Sequence, residues 1–259
     1  MALIKAPGEP LAYEDPDFLA SDDARPLRII AEYLAPLRGF RRAQVHDTIV
    51  FFGSARVSDT GPMSRYYDEA RELARLITVW SKNLSSHVHR YVICSGGGGG
   101  IMEAANRGAS DAGGRTIGLN ISLPREQRPN PYLTRELSFE FHYFFMRKLW
   151  FAYLAKALVV FPGGFGTLDE LTEILTLAQT GKLSRPIPIV MYGSAYWREI
   201  INFDALVRHG MISREDLQLF QFADTPAAAL ALLQAGLSME ADEATPSIAH
   251  GITASKPTG

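Results

Sequence analysis

Short, almost wholly apolar runs alternate with amphipathic segments along this chain, and three of the runs end in glycine-bearing turns. That combination predicts a Rossmann-like, doubly wound α/β fold: a mostly parallel sheet with helices on both faces. Runs such as TIVFF and ALVV show no polar alternation, so both sides of each strand must be covered. In such sheets ligands settle beyond the carboxyl ends of the strands, where strand order reverses.

The elements follow in order. TIVFFGSA (48–55) is β-branched and aromatic and ends in glycine, which predicts a buried strand. SRYYDEARELARLITVWSKNL (64–84) places apolar residues at helical spacing. RYVICSGGGGG (90–100) reads as a second strand running into five glycines, and IMEAANRGASDAG (101–113) as a helix closed by glycine. TIGLNISL (116–123) and LSFEFHYFF (137–145) are further strand candidates. MRKLWFAYLAK (146–156) reads as a helix, ALVVFPGG (157–164) as a strand, and TLDELTEILTLAQTGK (167–182) as an amphipathic helix. PIPIVMYG (186–193) is another strand. AYWREIINFDALVRHG (195–210) is expected to be one helix, and DTPAAALALLQAGL (224–237) the last.

The 259 residues are expected to form one domain over 26–240, between an N-terminal arm (1–25) and a C-terminal tail (241–259) rich in polar residues and proline. A formal charge of −2 gives no long-range pull toward nucleic acid or acidic membranes. Arg38, Arg41 and Arg42 are read as a solvated face. Cys94 is the single cysteine, which rules out an intramolecular disulfide and a cysteine-rich zinc site. With no basic-then-apolar leader and no run of 18 apolar residues, a cytoplasmic location is expected, without a membrane or nucleic-acid partner.

SGGGGGIMEAA and PGGFGTLDE carry the candidate chemistry. Runs of glycine are costly in regular structure and make sense where a ligand approaches bare backbone. At a helix start, outward N–H groups and the helix dipole suit a phosphate. Gly97, Gly98, Gly99 and Gly100 form one candidate cradle. It is neither G-x-G-x-x-G, since Ile101 stands where the last glycine belongs, nor a P-loop. Gly163, Gly164 and Gly166 form the second, with the hydroxyl of Thr167 at the head of the next helix; Ser54, in the GSAR turn, faces the same edge. A plainer reading of T-x-x-E is a capping box joining Thr167 and Glu170.

In order and register, SGGGGGIMEAANRGA and MRK…PGGFGTLDE resemble the LOG, or "lonely guy", family of phosphoribohydrolases over about residues 46–225. Those enzymes release a base from a nucleoside 5′-monophosphate. The signature PGGxGTxxE is present in full from Pro162 to Glu170, and Arg147 and Lys148 stand at the family's interval before it. The resemblance implies Glu170 as catalytic carboxylate and Arg147 as catalytic arginine. It implies Gly164, Phe165, Gly166 and Thr167 as the monophosphate site, and Lys148, Thr176 and Glu126 as substrate-contacting positions. It also implies a homodimer with the site near the interface.

The chemistry fits those side chains. Cleaving an N-glycosidic bond builds positive charge on the ribose, which a carboxylate beside C1′ stabilises while taking a proton from water. Arg147 could hold ribose hydroxyls, orient Glu170 or assist the leaving base. The substrate expected is AMP or a cytokinin riboside 5′-monophosphate, with no cofactor. The rival is a non-catalytic nucleotide- or molybdenum-cofactor-binding protein of the same superfamily, which need not keep the Arg147–Glu170 pair. Relatives of this family have carried a lysine decarboxylase label, but no lysine here stands out as an anchor for pyridoxal phosphate. His87 and His89 are read as a polar loop rather than a metal site, and His142 as a packed strand residue. Phe144, Phe145, Trp150 and Phe151 are expected in the core or a dimer contact.

Overall fold

The computed structural model describes residues 10–84, 86–122, 128–183 and 186–238. Among these residues, seven parallel strands form one sheet. They are β1 (Thr48–Phe52), β2 (Val92–Ser95), β3 (Thr116–Ile121), β4 (Ser138–Phe141), β5 (Ala155–Val160), β6 (Ile189–Tyr192) and β7 (Gln221–Ala223), in the order β4-β3-β2-β1-β5-β6-β7. Chain order therefore reverses between β1 and β5. Phe51 pairs with Val159 and Phe52 with Val160, so both strands end at the same level.

β1 shows why apolar runs become central strands here. Ile49 and Phe51 join a core layer beneath α3 (Ser64–Lys82), α4 (Ile101–Asp111) and α9 (Pro226–Ser238). Val50 and Phe52 join the opposite layer, beneath α2 (Arg25–Arg42), α5 (Phe144–Tyr153), α6 (Phe165–Gln179) and α7 (Ser194–Ile200). Period-two alternation thus distributes apolar side chains to two cores rather than to core and solvent.

Several boundaries differ from the sequence expectation. The strand expected over 137–145 stops at Phe141, because Phe144 and Phe145 already belong to α5. Both phenylalanines are exposed, at 53% and 49%, whereas Trp150 and Phe151 are core residues. His142 is exposed just past the strand end rather than packed within it. The helix expected over 146–156 yields Ala155 and Lys156 to β5. The single helix expected over 195–210 is two, since Ile201 turns to extended backbone and Asn202 caps α8 (Phe203–Arg208) through Ala205 N. β7 and α2 were not anticipated. Within residues 10–25 lies the short α1 (Pro16–Ala20), and Arg28 of α2 donates to the carbonyls of Leu19 and Ser21 beyond it. Arg38, Arg41 and Arg42 are exposed toward the carboxyl end of α2, where positive charge suits the helix dipole.

Helices α3 and α4 touch at Gly108, where an added Cβ would lie 1.9 Å from the Arg71 carbonyl oxygen. Replacing a helical glycine by alanine ordinarily gains about 1 kcal/mol. Here the overlap is with backbone, and overpacking costs about 1–3 kcal/mol. Gly108→Ala is therefore expected to lower the thermal midpoint by several degrees. An unchanged or raised midpoint in a melting experiment would contradict this packing.

Candidate active site

The turns leaving β1 and β5 are tied together. Phe161 N donates to Phe52 O at 2.8 Å and Ser54 N to Pro162 O at 3.0 Å. A cleft of about 960 Å³ opens above this junction, lined by the β1 turn from Gly53, the segment Pro162–Leu168, Glu170, Arg147, Met102 and two residues of α7, Tyr196 and Ile200. Its position is the place where strand order reverses.

The two glycine segments behave differently there. SGGGGG is packed against protein. Gly97 (φ +73°) would put a Cβ 2.4 Å from Asn120 Oδ1, and Gly100 (φ +65°) one 2.3 Å from Ser54 O. Asn130 donates from Nδ2 to the carbonyls of Gly97 and Gly98, at 3.1 and 3.0 Å. Ser54 lines the cleft and its Oγ accepts from Arg56 N, whereas Gly97, Gly98 and Gly100 are buried behind the cleft and Gly99 is partly exposed outside its lining. PGGFG, by contrast, faces open space: a Cβ at Gly164 or Gly166 would meet nothing within 4 Å.

Helix α6 starts at Phe165 with Gly164 as N-cap and no side-chain cap. The capping box therefore does not form, and Glu170 turns away from the helix start to meet Arg147. The leading N–H groups, of Phe165, Gly166 and Thr167, point along the helix axis at the cleft, with the partial positive charge of the macrodipole behind them. Gly163 is buried against Thr167, its missing Cβ only 2.1 Å from Oγ1. Tyr196 holds the turn from the far side, its hydroxyl donating to Gly163 O at 2.7 Å. Phe165 projects outward and is 92% exposed.

Arg147 rises from α5. Its Nε donates to Leu119 O, on β3, at 2.7 Å, and its guanidinium lies 5.0 Å above the Phe151 ring. A Cβ on Gly96 would fall 2.3 Å from Nη2, so that glycine leaves room for the guanidinium. Nη1 stands 3.7 Å from Glu170 Oε1, with side chains only 10% and 15% exposed. This is an ion-pair separation beyond hydrogen-bonding range, which leaves donor and acceptor sites for a third molecule. Burial pushes the Glu170 carboxyl up to about 7, against the pull of Arg147. Burial also lowers Arg147 from the usual arginine value, while Glu170 holds it up.

Lys148 points the other way, held by Asp169 at 2.8 Å and Glu173 at 3.0 Å. Thr176 is exposed on α6, its hydroxyl donating to Thr172 O at 2.7 Å, and neither residue lines the cleft. Glu126 lies outside the described residues. His87 and His89 sit in the exposed segment before β2. Tyr196, the Leu119 carbonyl and Gly96 were not singled out from sequence. Only Gly96 had a visible signal, as the first glycine of its run.

The chain is similar to known proteins in sequence and in fold. The family model described as "Possible lysine decarboxylase" matches residues 102–233. The chain is 28% identical over 189 residues to the cytokinin riboside 5′-monophosphate phosphoribohydrolase LOG of Oryza sativa subsp. japonica, a match covering 72% of each chain. It is 29% identical over 179 residues to LOG3 of Arabidopsis thaliana, which carries the same enzyme description, covering 68% of this chain and 76% of that one. The X-ray structure of a structural-genomics target superposes with a TM-score of 0.52 at 22% identity, over 73% of this chain and 99% of that one, a likeness of fold. Among the described residues, no helix is long and apolar enough to cross a membrane. The matched model and the LOG relatives together show that this chain belongs to the LOG family.

Proposed function

We propose that the protein is a nucleoside 5′-monophosphate phosphoribohydrolase, hydrolysing the N-glycosidic bond of AMP or a cytokinin riboside 5′-monophosphate to free base and ribose 5-phosphate. The observation that carries this reading is the buried Arg147–Glu170 pair beside the uncapped start of α6, at the strand-order reversal. The LOG relatives' descriptions support the same chemistry.

In this reading the 5′-phosphate takes the N–H groups of Phe165, Gly166 and Thr167, and the ribose runs along α6 toward Glu170. Five residues at 1.5 Å rise place Glu170 about 7.5 Å along the axis from the helix start, the reach of a ribose 5-phosphate. The phosphate thus supplies remote binding energy that positions C1′. As the C1′–N bond breaks, its electron pair leaves with the base, and the Glu170 carboxylate stabilises the cation left on the sugar. Water adds its hydroxyl to C1′, and its proton, accepted by Glu170, balances the one gained by the base nitrogen. Arg147 fixes the carboxylate's direction and has N–H groups free for the ribose or the base.

The reading extends to assembly: Phe144, Phe145 and Leu149 expose an apolar face on the helix that carries Arg147, and a second copy is its proposed partner. Sedimentation at micromolar concentration is expected to give a dimer, and a monomer would refute this part.

Because hydrolysis uses the ionised carboxylate, kcat/KM is expected to rise with pH and level off above about 7, falling roughly tenfold per unit below it. A rate that falls as pH rises through 7 would instead assign Glu170 a proton-donor role. Glu170→Gln is expected to cut kcat about a thousandfold while retaining nucleotide binding by calorimetry. Adenosine, without the phosphate, is expected to show kcat/KM lower than that of AMP by on the order of a hundredfold or more. Equal turnover of the two would remove the role given to the α6 start.

A further inference from the structure

Helix α2 precedes the matched stretch 102–233, yet one of its residues grips the arginine-bearing helix at two places. The Glu32 carboxylate accepts the backbone N–H of His142 through Oε1 at 2.7 Å and that of Tyr143 through Oε2 at 3.2 Å. These N–H groups belong to the two residues that lead into α5, whose N-cap, Tyr143, supplies no side-chain cap. A carboxylate at that end also answers the helix dipole. One residue of another helix thus pins the two backbone N–H groups immediately before α5.

The second grip uses the Glu32 main chain. Its carbonyl oxygen accepts the Trp150 indole Nε1–H at 3.0 Å. Within a regular helix that carbonyl would be taken by the N–H four residues on. Residue 36 is a proline inside α2 and has no N–H to give. The proline therefore frees an acceptor where the α5 indole needs one. Glu32 holds α5 at its start through the side chain and more than one turn later through the backbone.

This clamp acts on the residue from which the first turn of α5 is built. Tyr143, whose N–H is held by Glu32, accepts at its own carbonyl from the backbone N of Arg147 at 3.2 Å. We propose that Glu32 is a positioning residue that fixes the start and rotation of α5, and so aims the Arg147 guanidinium at Leu119 O and Glu170. The phosphate site depends on α6 and Tyr196, none of which Glu32 touches. The clamp should therefore influence the bond-breaking step and leave nucleotide capture alone. Its kinetic consequence rests on the hydrolase reading above. Displacements near 1 Å at a catalytic group can cost about a hundredfold in rate.

The test compares Glu32→Ala, Glu32→Gln and Arg28→Met in the full chain with AMP, alongside amide hydrogen exchange. Arg28, on the same helix as Glu32, serves as the control, since its hydrogen bonds go to the Leu19 and Ser21 carbonyls, outside α5. Glu32→Ala is expected to lower kcat at least tenfold with KM within threefold of wild type, and to speed exchange of the His142 and Tyr143 amides. Glu32→Gln keeps one acceptor oxygen and should recover part of the loss. Arg28→Met should keep kcat even if its melting midpoint falls. A folded Glu32→Ala protein with wild-type kcat overturns the proposal, as does one in which KM rises while kcat is kept. If the wild-type chain turns over no nucleotide, the hydrolase reading fails by itself. Amide exchange then decides the clamp: faster exchange in Glu32→Ala supports it, and unchanged exchange overturns it.

Discussion

A carboxylate and a guanidinium held out of water, close but not in hydrogen-bonding contact, organise this molecule. Removing charged groups from solvent is expensive, and a pair at 3.7 Å recovers only part of that cost. The chain offsets part of the rest with groups gathered around the guanidinium. The Leu119 carbonyl takes Arg147 Nε, Phe151 lies under the guanidinium, and Gly96 leaves it room. Glu170 remains under-solvated, and burial pushes its carboxyl up to about 7. A raised acid binds its proton more tightly in the folded state. Its contribution to folding therefore weakens as pH climbs from the ordinary carboxylate range toward 7. Strain of this kind at one site is what a folded chain tolerates when the site has work to do.

The two glycine segments show how one residue type serves opposite ends. Around Gly97 and Gly100 the missing Cβ atoms are replaced by protein: an asparagine amide and the backbone of the β1 turn come within 2.4 Å of where they would be. These glycines permit their loop to pack against β3 and the β1 turn. Gly164 and Gly166 have open space instead, at the head of an uncapped helix. The second arrangement is suited to an incoming anion, and the first braces the platform beneath it.

Much of this was legible in the sequence, for physical reasons. β1, β2, β3, β5 and β6 are apolar on both faces because helices cover both, so their runs could be recognised without alternation. Arg147 and Glu170 were implied by the resemblance to the LOG family, and the fold brings them together across α5 and α6. T-x-x-E left two readings open because spacing alone cannot say whether a glutamate reaches back to its own helix or across to another. Helix α2 carries prolines at 26 and 36 and leaves Leu27, Ile30 and Leu34 exposed, so its sequence shows no clean apolar stripe. β7 has three residues, too few to display a period. The division at Asn202 did have a signal, an Asn followed two residues later by Asp204 in the first turn of α8. Tyr196 and Glu32 had none, since their roles arise from tertiary contacts with Gly163 and with the start of α5.

The central claim is spatial: an anion at the head of α6 and an anomeric carbon at Glu170, bridged by one ribose. Its most direct test is the crystal structure of the slow Glu170→Gln protein with AMP bound. The account predicts phosphate oxygens within hydrogen-bond distance of the Phe165, Gly166 and Thr167 amides, and C1′ beside the substituted side chain with Arg147 against the sugar or base. A nucleotide whose phosphate lies elsewhere, or whose C1′ faces away from position 170, would contradict it.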